Sequence, residues 1–177
     1  DTGLYSYRTK IFESLPLAGL PDYLDNWNHF INLTDNLMKA NVIKSVKDLW
    51  WETRPHPGFG TVEVRICDVP INFNKILALV ALIQALVVTL QNTNKLPNTH
   101  IQILESNKWQ AARYGLEGTF IDPLSLKQLS IRKAIESLCK LVEPKMASLG
   151  SVKYIKVLEE ILTKGDGATK KREIFYS

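Results

Sequence analysis

Residues 1–20 carry no sustained hydrophobic period, and Pro16 and Gly19 interrupt them, so they read as extended or loop-like. Pro21 suits the first position of a helix, and Asp22 and Asp25 suit its positive end. Tyr23, Trp27, Phe30, Ile31, Leu33 and Leu37 then recur at helical spacing up to about Lys39, with Asn41 as the stop. The period changes to two over Asp48–Arg54 and Thr61–Asp68, which predicts two strands. Between them, Pro55-His56-Pro57-Gly58-Phe59-Gly60 is a turn by composition. A long apolar helix is expected over about 72–91 and a loop over Asn92–Asn98. The next helix runs over about 99–113 and is closed by Gly115. A short strand over Glu117–Ile121, a turn at Asp122-Pro123 and a helix capped by Ser130 follow. That helix reaches Leu141 and, past Pro144, Leu149. Gly150-Ser151 starts another helix to Lys164, Gly165-Asp166-Gly167 breaks it, and a last helix begins near Ala168. Helices with one clear hairpin make this an α+β chain.

The apolar run Ile76–Leu90 is 15 residues long, interrupted by Gln84 and Thr89 and bracketed by Lys75 and Lys95. A membrane span needs about 20 apolar residues. The run therefore reads as a central core helix, apolar nearly all round and covered on most sides, and no membrane partner is expected.

Composition adds boundaries. The chain has 177 residues, 45% of them apolar, enough for one real core or two small ones. Nine Gly, eight Pro and two Cys exclude collagen-like, low-complexity and disulfide-scaffold classes. The net charge of +4 is scattered, and the cluster Lys170-Lys171-Arg172 reads as a solvated face, so no nucleic-acid partner is expected. No leader is visible ahead of Asp1-Thr2-Gly3, and Phe175-Tyr176-Ser177 falls inside an expected helix, so both ends read as cut.

The hairpin carries the candidate chemistry. Alternation sets Leu49, Trp51, Val62, Val64 and Ile66 on one face, against helices. Glu52, Arg54, Glu63 and Arg65 share the other, and a register with Glu52 opposite Glu63 and Arg54 opposite Thr61 satisfies both. Two readings of the charged face stay open. One is a solvated sheet with cross-strand ion pairs. The other binds an anion and a metal: Arg forks take carboxylate or phosphate, and an adjacent carboxylate holds Mg²⁺. Trp50 on the same face marks a covered or ligand-facing surface. His56 reads as a loop-tip residue, Cys67 as a small buried thiol, and Cys139 as core.

The segments Trp50-Trp51-Glu52-Thr53-Arg54-Pro55-His56-Pro57 and Phe59-Gly60-Thr61-Val62-Glu63-Val64-Arg65 resemble the signature of the glutamate–cysteine ligase type 2 family. Ser6-Tyr7-Arg8 through Phe12-Glu13-Ser14-Leu15-Pro16, Asn107-Lys108-Trp109-Gln110-Ala111-Ala112-Arg113-Tyr114-Gly115-Leu116-Glu117 and Asp166-Gly167-Ala168 resemble further family segments in the same order. The resemblance implies an antiparallel sheet, part of a curved, glutamine-synthetase-like half-barrel, with helices packed on its outer face and the active site on the concave side. It implies an ATP- and Mg²⁺-dependent, cytoplasmic carboxylate–amine ligase acting on small molecules. Glutamate would be activated as an acyl phosphate and captured by cysteine or another amine.

By the same resemblance Glu63 is a Mg²⁺ ligand, Arg65 and Arg54 are catalytic, and Arg8, Asn107 and Arg113 contact substrate or nucleotide. Asn107 and Arg113 lie six positions apart, about 240° around a helix, so an unbroken helix does not aim both at one small ligand. The family's chain is about twice as long, and its N-terminal half carries the closely spaced glutamates that complete the metal site. Residues 1–177 are therefore expected to be the C-terminal part of the catalytic domain, inactive alone. The open sheet edge would pair with the missing half or with another copy. A non-catalytic binding or assembly module with the same fold is the competing expectation.

Overall fold

A computed structural model describes residues 2–91, 93 and 98–176, which fall into two units. The expected loop over Asn92–Asn98 lies mostly outside the described residues. The first unit, residues 7–68, begins with α1 (Tyr7–Glu13), β1 (Ala18–Gly19) and α2 (Trp27–Lys39). A 3-10 turn (Val46–Asp48), β2 (Trp50–Trp51), β3 (Thr53–His56) and β4 (Thr61–Val64) complete it. The second unit, residues 2–6 with 69–176, contains α3 (Phe73–Gln91), α4 (Ile101–Tyr114), β5 (Thr119–Ile121) and β6 (Gln128–Ser130). It ends with α5 (Ile131–Ser148), α6 (Ile155–Lys164) and α7 (Gly167–Tyr176).

Within the first unit, α2 puts Phe30, Ile31, Leu33 and Leu37 on one stripe, and that stripe meets Leu49 and Trp51. Phe30 and Trp51 meet edge-on, with ring centroids 6.4 Å apart. The helix starts at Trp27 and not at Pro21, because the Asn26 side chain accepts the His29 N–H at 3.0 Å and caps it there. Asn41, at φ 55°, stops it as expected. Residues 7–13 are helical where the sequence predicts a loop: Thr9 is buried and Phe12 packs on Trp50 at 5.9 Å, so tertiary contact overrides a weak local pattern.

Among the described residues the strands form three two-stranded sheets: parallel β1–β2, antiparallel β3–β4 and antiparallel β5–β6. The chain is thus a mixed helix-and-strand protein with small sheets. A bend at Glu52 separates β2 from β3, so Trp51 pairs with Gly19 while Thr53 pairs with Val64. The β3–β4 register corrects the expected one: Arg54 faces Glu63, and His56 faces Thr61. This puts opposite charges across the ladder where the expected register set two glutamates against each other. The apolar side is also corrected, since Val62 is 54% exposed while Arg54 is 3% exposed.

In the second unit Ala78, Ala81 and Ala85 of α3 pack on Cys139, Val142 and Met146 of α5 and on Ile155 and Leu158 of α6. The small residues let the helices approach closely. The helix is not covered on most sides as expected: Val80 is 57% exposed, and Val87 and Leu90 are also exposed. With 19 residues and a mean hydropathy of 2.1, α3 is long and apolar enough to cross a membrane by length and composition. Helix α5 runs through Pro144, and Ser130 caps it by accepting the Lys133 N–H. Gly115, at φ 57°, ends α4 where an added Cβ would sit 2.6 Å from the Tyr5 ring. There the Ala112 carbonyl accepts the N–H groups of Tyr5 and Ser6 at 2.8 and 3.1 Å.

Candidate functional site

The charged face of the β3–β4 hairpin is a connected network. The Arg54 guanidinium lies inside it. Its Nη1 donates to the carbonyls of Val46, Lys47 and Leu49 at 2.9, 2.8 and 2.7 Å. These carbonyls lie along the 3-10 turn and just after it, and that of Val46 also accepts the Leu49 N–H at 3.1 Å. Its Nη2 donates to Glu63 Oε2 at 2.5 Å. The same carboxylate oxygen lies 3.5 Å from Arg65 Nη1. One carboxylate thus sits between a buried and a partly exposed guanidinium.

Arg65 lines a small crevice with Arg8, Phe12, Gly19, Trp50 and Glu52. The Arg65 head lies 5.9 Å from the Trp50 ring centre and the Arg8 head 4.4 Å from that of Phe12. Arg8 Nη2 donates to the Arg65 carbonyl at 2.9 Å, which ties α1 to the residue just after β4. The Arg65 N–H donates to the Glu52 carbonyl at 2.7 Å and continues the ladder past the bend. Two guanidiniums over aromatic rings, beside a carboxylate, form a surface suited to a small anion with an amine or metal counter-charge.

The Arg54 hydrogen bond, helped by the charges of Arg54, His56 and Arg65, holds the Glu63 carboxyl below the usual glutamate range. Backbone N–H groups of Lys44 and Ser45 do the same for Asp48, and those of Ser125 and Leu124, with the Ser125 hydroxyl, for Asp122. A folded value below the unfolded one contributes stability above the unfolded value, and that contribution is lost as pH falls through the folded one. The melting temperature should therefore decline on acidification below about pH 4, the ordinary carboxylate range. Asp122→Asn should flatten that decline in a thermal melt series. A melting temperature that rises on acidification would contradict the assignment.

Asn107 and Arg113 belong to the second unit. Asn107 is 8% exposed, donates to the Ile121 carbonyl at 2.8 Å and accepts the Ile121 N–H at 2.7 Å. Its amide acts as one more strand beside β5. The Arg113 guanidinium donates to the Gly3 carbonyl, away from Asn107, as the helical rotation requires. His56 is buried at the end of β3, stacked on Phe59 at 4.5 Å, and is not a loop tip; it shares the covered parity of Arg54. Cys67 is exposed and not a buried thiol, because β4 ends at Val64 and leaves it beyond the sheet; Cys139 is core as expected. Sequence reasoning missed Phe12 and Gly19 in the crevice, since neither α1 nor β1 has a clear period.

The chain matches the model of the glutamate–cysteine ligase family 2 over residues 1–176. It is 44% identical to "Putative glutamate–cysteine ligase 2" of Gloeobacter violaceus over 99% of the chain and 48% of that protein. It is 36% identical to the protein of the same name from Solibacter usitatus, over 99% of the chain and 47% of the relative. With the Sorangium cellulosum protein it shares 34% identity over 98% and 48%. The chain thus spans about half the length of these relatives. With a family match along nearly its whole length and a hairpin that gathers the motif residues Arg54, Glu63 and Arg65, the chain belongs to glutamate–cysteine ligase family 2.

Proposed function

We propose that this chain is the C-terminal half of an ATP-dependent carboxylate–amine ligase. The crevice where Arg8 and Arg65 converge beside Glu52 and Trp50 carries this reading. A carboxylate, the γ-carboxyl of glutamate, attacks the γ-phosphorus of ATP. The new bond is carboxylate oxygen to phosphorus, and the bond to ADP breaks. The amine of cysteine, or another amine, then attacks the acyl carbon, phosphate leaves and the nitrogen loses a proton. Arg65 faces the charge that develops on the transferred phosphoryl oxygens, and Arg8 steadies an anionic group beside it. Asn107 and Arg113, proposed from the motif as substrate or nucleotide contacts, serve in this geometry to shape the second unit around Ile121 and Gly3.

The described residues do not by themselves fit Mg²⁺. Glu63 offers one carboxylate whose Oε2 is already shared by two guanidiniums, and no cluster of three or more acidic, His or Cys side chains occurs among the described residues. Mg²⁺ wants an octahedral oxygen shell. Glu63 is proposed as one ligand of a site completed from outside these residues. The N-terminal half of the ligase would also extend β3–β4 into the curved, glutamine-synthetase-like sheet and cover its edge. The complete enzyme would be cytoplasmic.

ADP release tests the proposal. The 177-residue chain alone should release no ADP in response to glutamate and an amine. Combined with a polypeptide carrying the other half of a relative, it should release ADP that depends on both. Substrate-dependent release by the chain alone would reject the need for a second half. No release from the pair, across a panel of amines, would favour a non-catalytic assembly module.

A further inference from the structure

We infer that Arg54 is a positioning residue: anchored on the carbonyls of Val46, Lys47 and Leu49, it fixes Glu63, and Glu63 in turn fixes the guanidinium of Arg65. The role in turnover rests on the ligase reading above; the positioning itself does not.

Four contacts of the Arg54 head go to protein acceptors, three of them to backbone at 2.7–2.9 Å and one to Glu63 at 2.5 Å. The residue is 3% exposed, so its fork is not offered to a ligand. Arg65, by contrast, is about one-third exposed, and its head meets the Glu63 carboxylate at 3.5 Å and the Trp50 ring. A partly exposed arginine on a flexible stem loses orientation readily, because its rotamer entropy rivals a surface ion pair. A carboxylate clamped from behind by a buried guanidinium removes that freedom at Glu63, and one turn of backbone carbonyls supplies the rigid end of the relay. The strand register sets Arg54 opposite Glu63, so the clamp spans one rung of the ladder.

Side-chain NMR on the ¹⁵N-arginine-labelled 177-residue chain tests this without any turnover. In the wild type, Arg54 should show separately resolved, slowly rotating Nη protons; a single averaged signal would overturn the inference. In Arg54→Lys, rotation of the Arg65 head should accelerate roughly tenfold as the charge-assisted restraint on Glu63 is lost. A folded variant with unchanged Arg65 signals would show that Arg54 only supports the turn. Should that variant not fold, Glu63→Gln keeps the carbonyl anchor and should free Arg65 alike; unchanged Arg65 signals there also overturn the relay. In the two-part ligase, Arg54→Lys should lower kcat roughly tenfold with KM for ATP and glutamate within about twofold. A raised KM with kcat unchanged would make Arg54 a substrate contact and reject the inference. A wild-type pair without turnover would instead count against the ligase reading, while the NMR signals would still decide the positioning role.

Discussion

Arg65→Ala in the two-part ligase is expected to lower substrate-dependent ADP release by about 10²–10³-fold, the usual cost of removing one donor aimed at developing charge. The fold should survive. Arg65 is partly exposed, its ion pair with Glu63 is 3.5 Å long, and neither residue belongs to the core around Phe30 and Trp51. Such partly exposed pairs contribute little to stability. Melting of the variant should thus stay within a few degrees of the wild type, about the shift that 1 kcal/mol produces in a chain of this size. Activity within about threefold of wild type would remove Arg65 from the reaction. A collapse of the melting transition would make it a structural residue.

Asn107→Ala is the largest expected effect on stability. The amide satisfies both backbone groups of Ile121 from inside α4, and it is almost fully buried. Alanine leaves an N–H and a carbonyl with no partner from α4. Each unpaired buried group costs about 1–3 kcal/mol, so a loss of about 3 kcal/mol is expected. At roughly 2–4 °C per kcal/mol the melting temperature should fall by about 9 °C. Asn107→Asp should be little better, since it keeps the acceptor but sets an oxygen against the Ile121 carbonyl. A melting temperature unchanged in both variants, with ADP release lost, would make Asn107 a ligand contact after all.

Much of this was legible in the sequence. The sequence located α3 to α6 within a few positions and the end of α2, though not its start, and Asn41, Gly115, Ser130 and Gly165 marked ends correctly. The hairpin and its charged face were visible from the period of two. The register was not, because shifting a ladder by two residues preserves every side-chain face. Only the pairing of Arg54 with Glu63 distinguishes the alternatives, and it depends on a turn just upstream that offers three carbonyls to a buried cation. Alternation alone reads a charged side chain as outward, so the burial of Arg54 went unseen. The motif resemblance singled out Asn107 and Arg113 without showing that their polar groups were engaged by backbone.

The alanine seam of α3 has a consequence for how this protein can change. On the side facing α5 and α6, Ala78, Ala81 and Ala85 are buried in the helix contact, where larger side chains are expected to overpack it. On the opposite side Val80, Val87 and Leu90 can vary in size without disturbing that contact. One helix therefore meets two separate demands, volume on the seam and apolar character on the outer edge. Comparing how strictly each is kept among relatives would reveal whether the outer edge is itself under constraint.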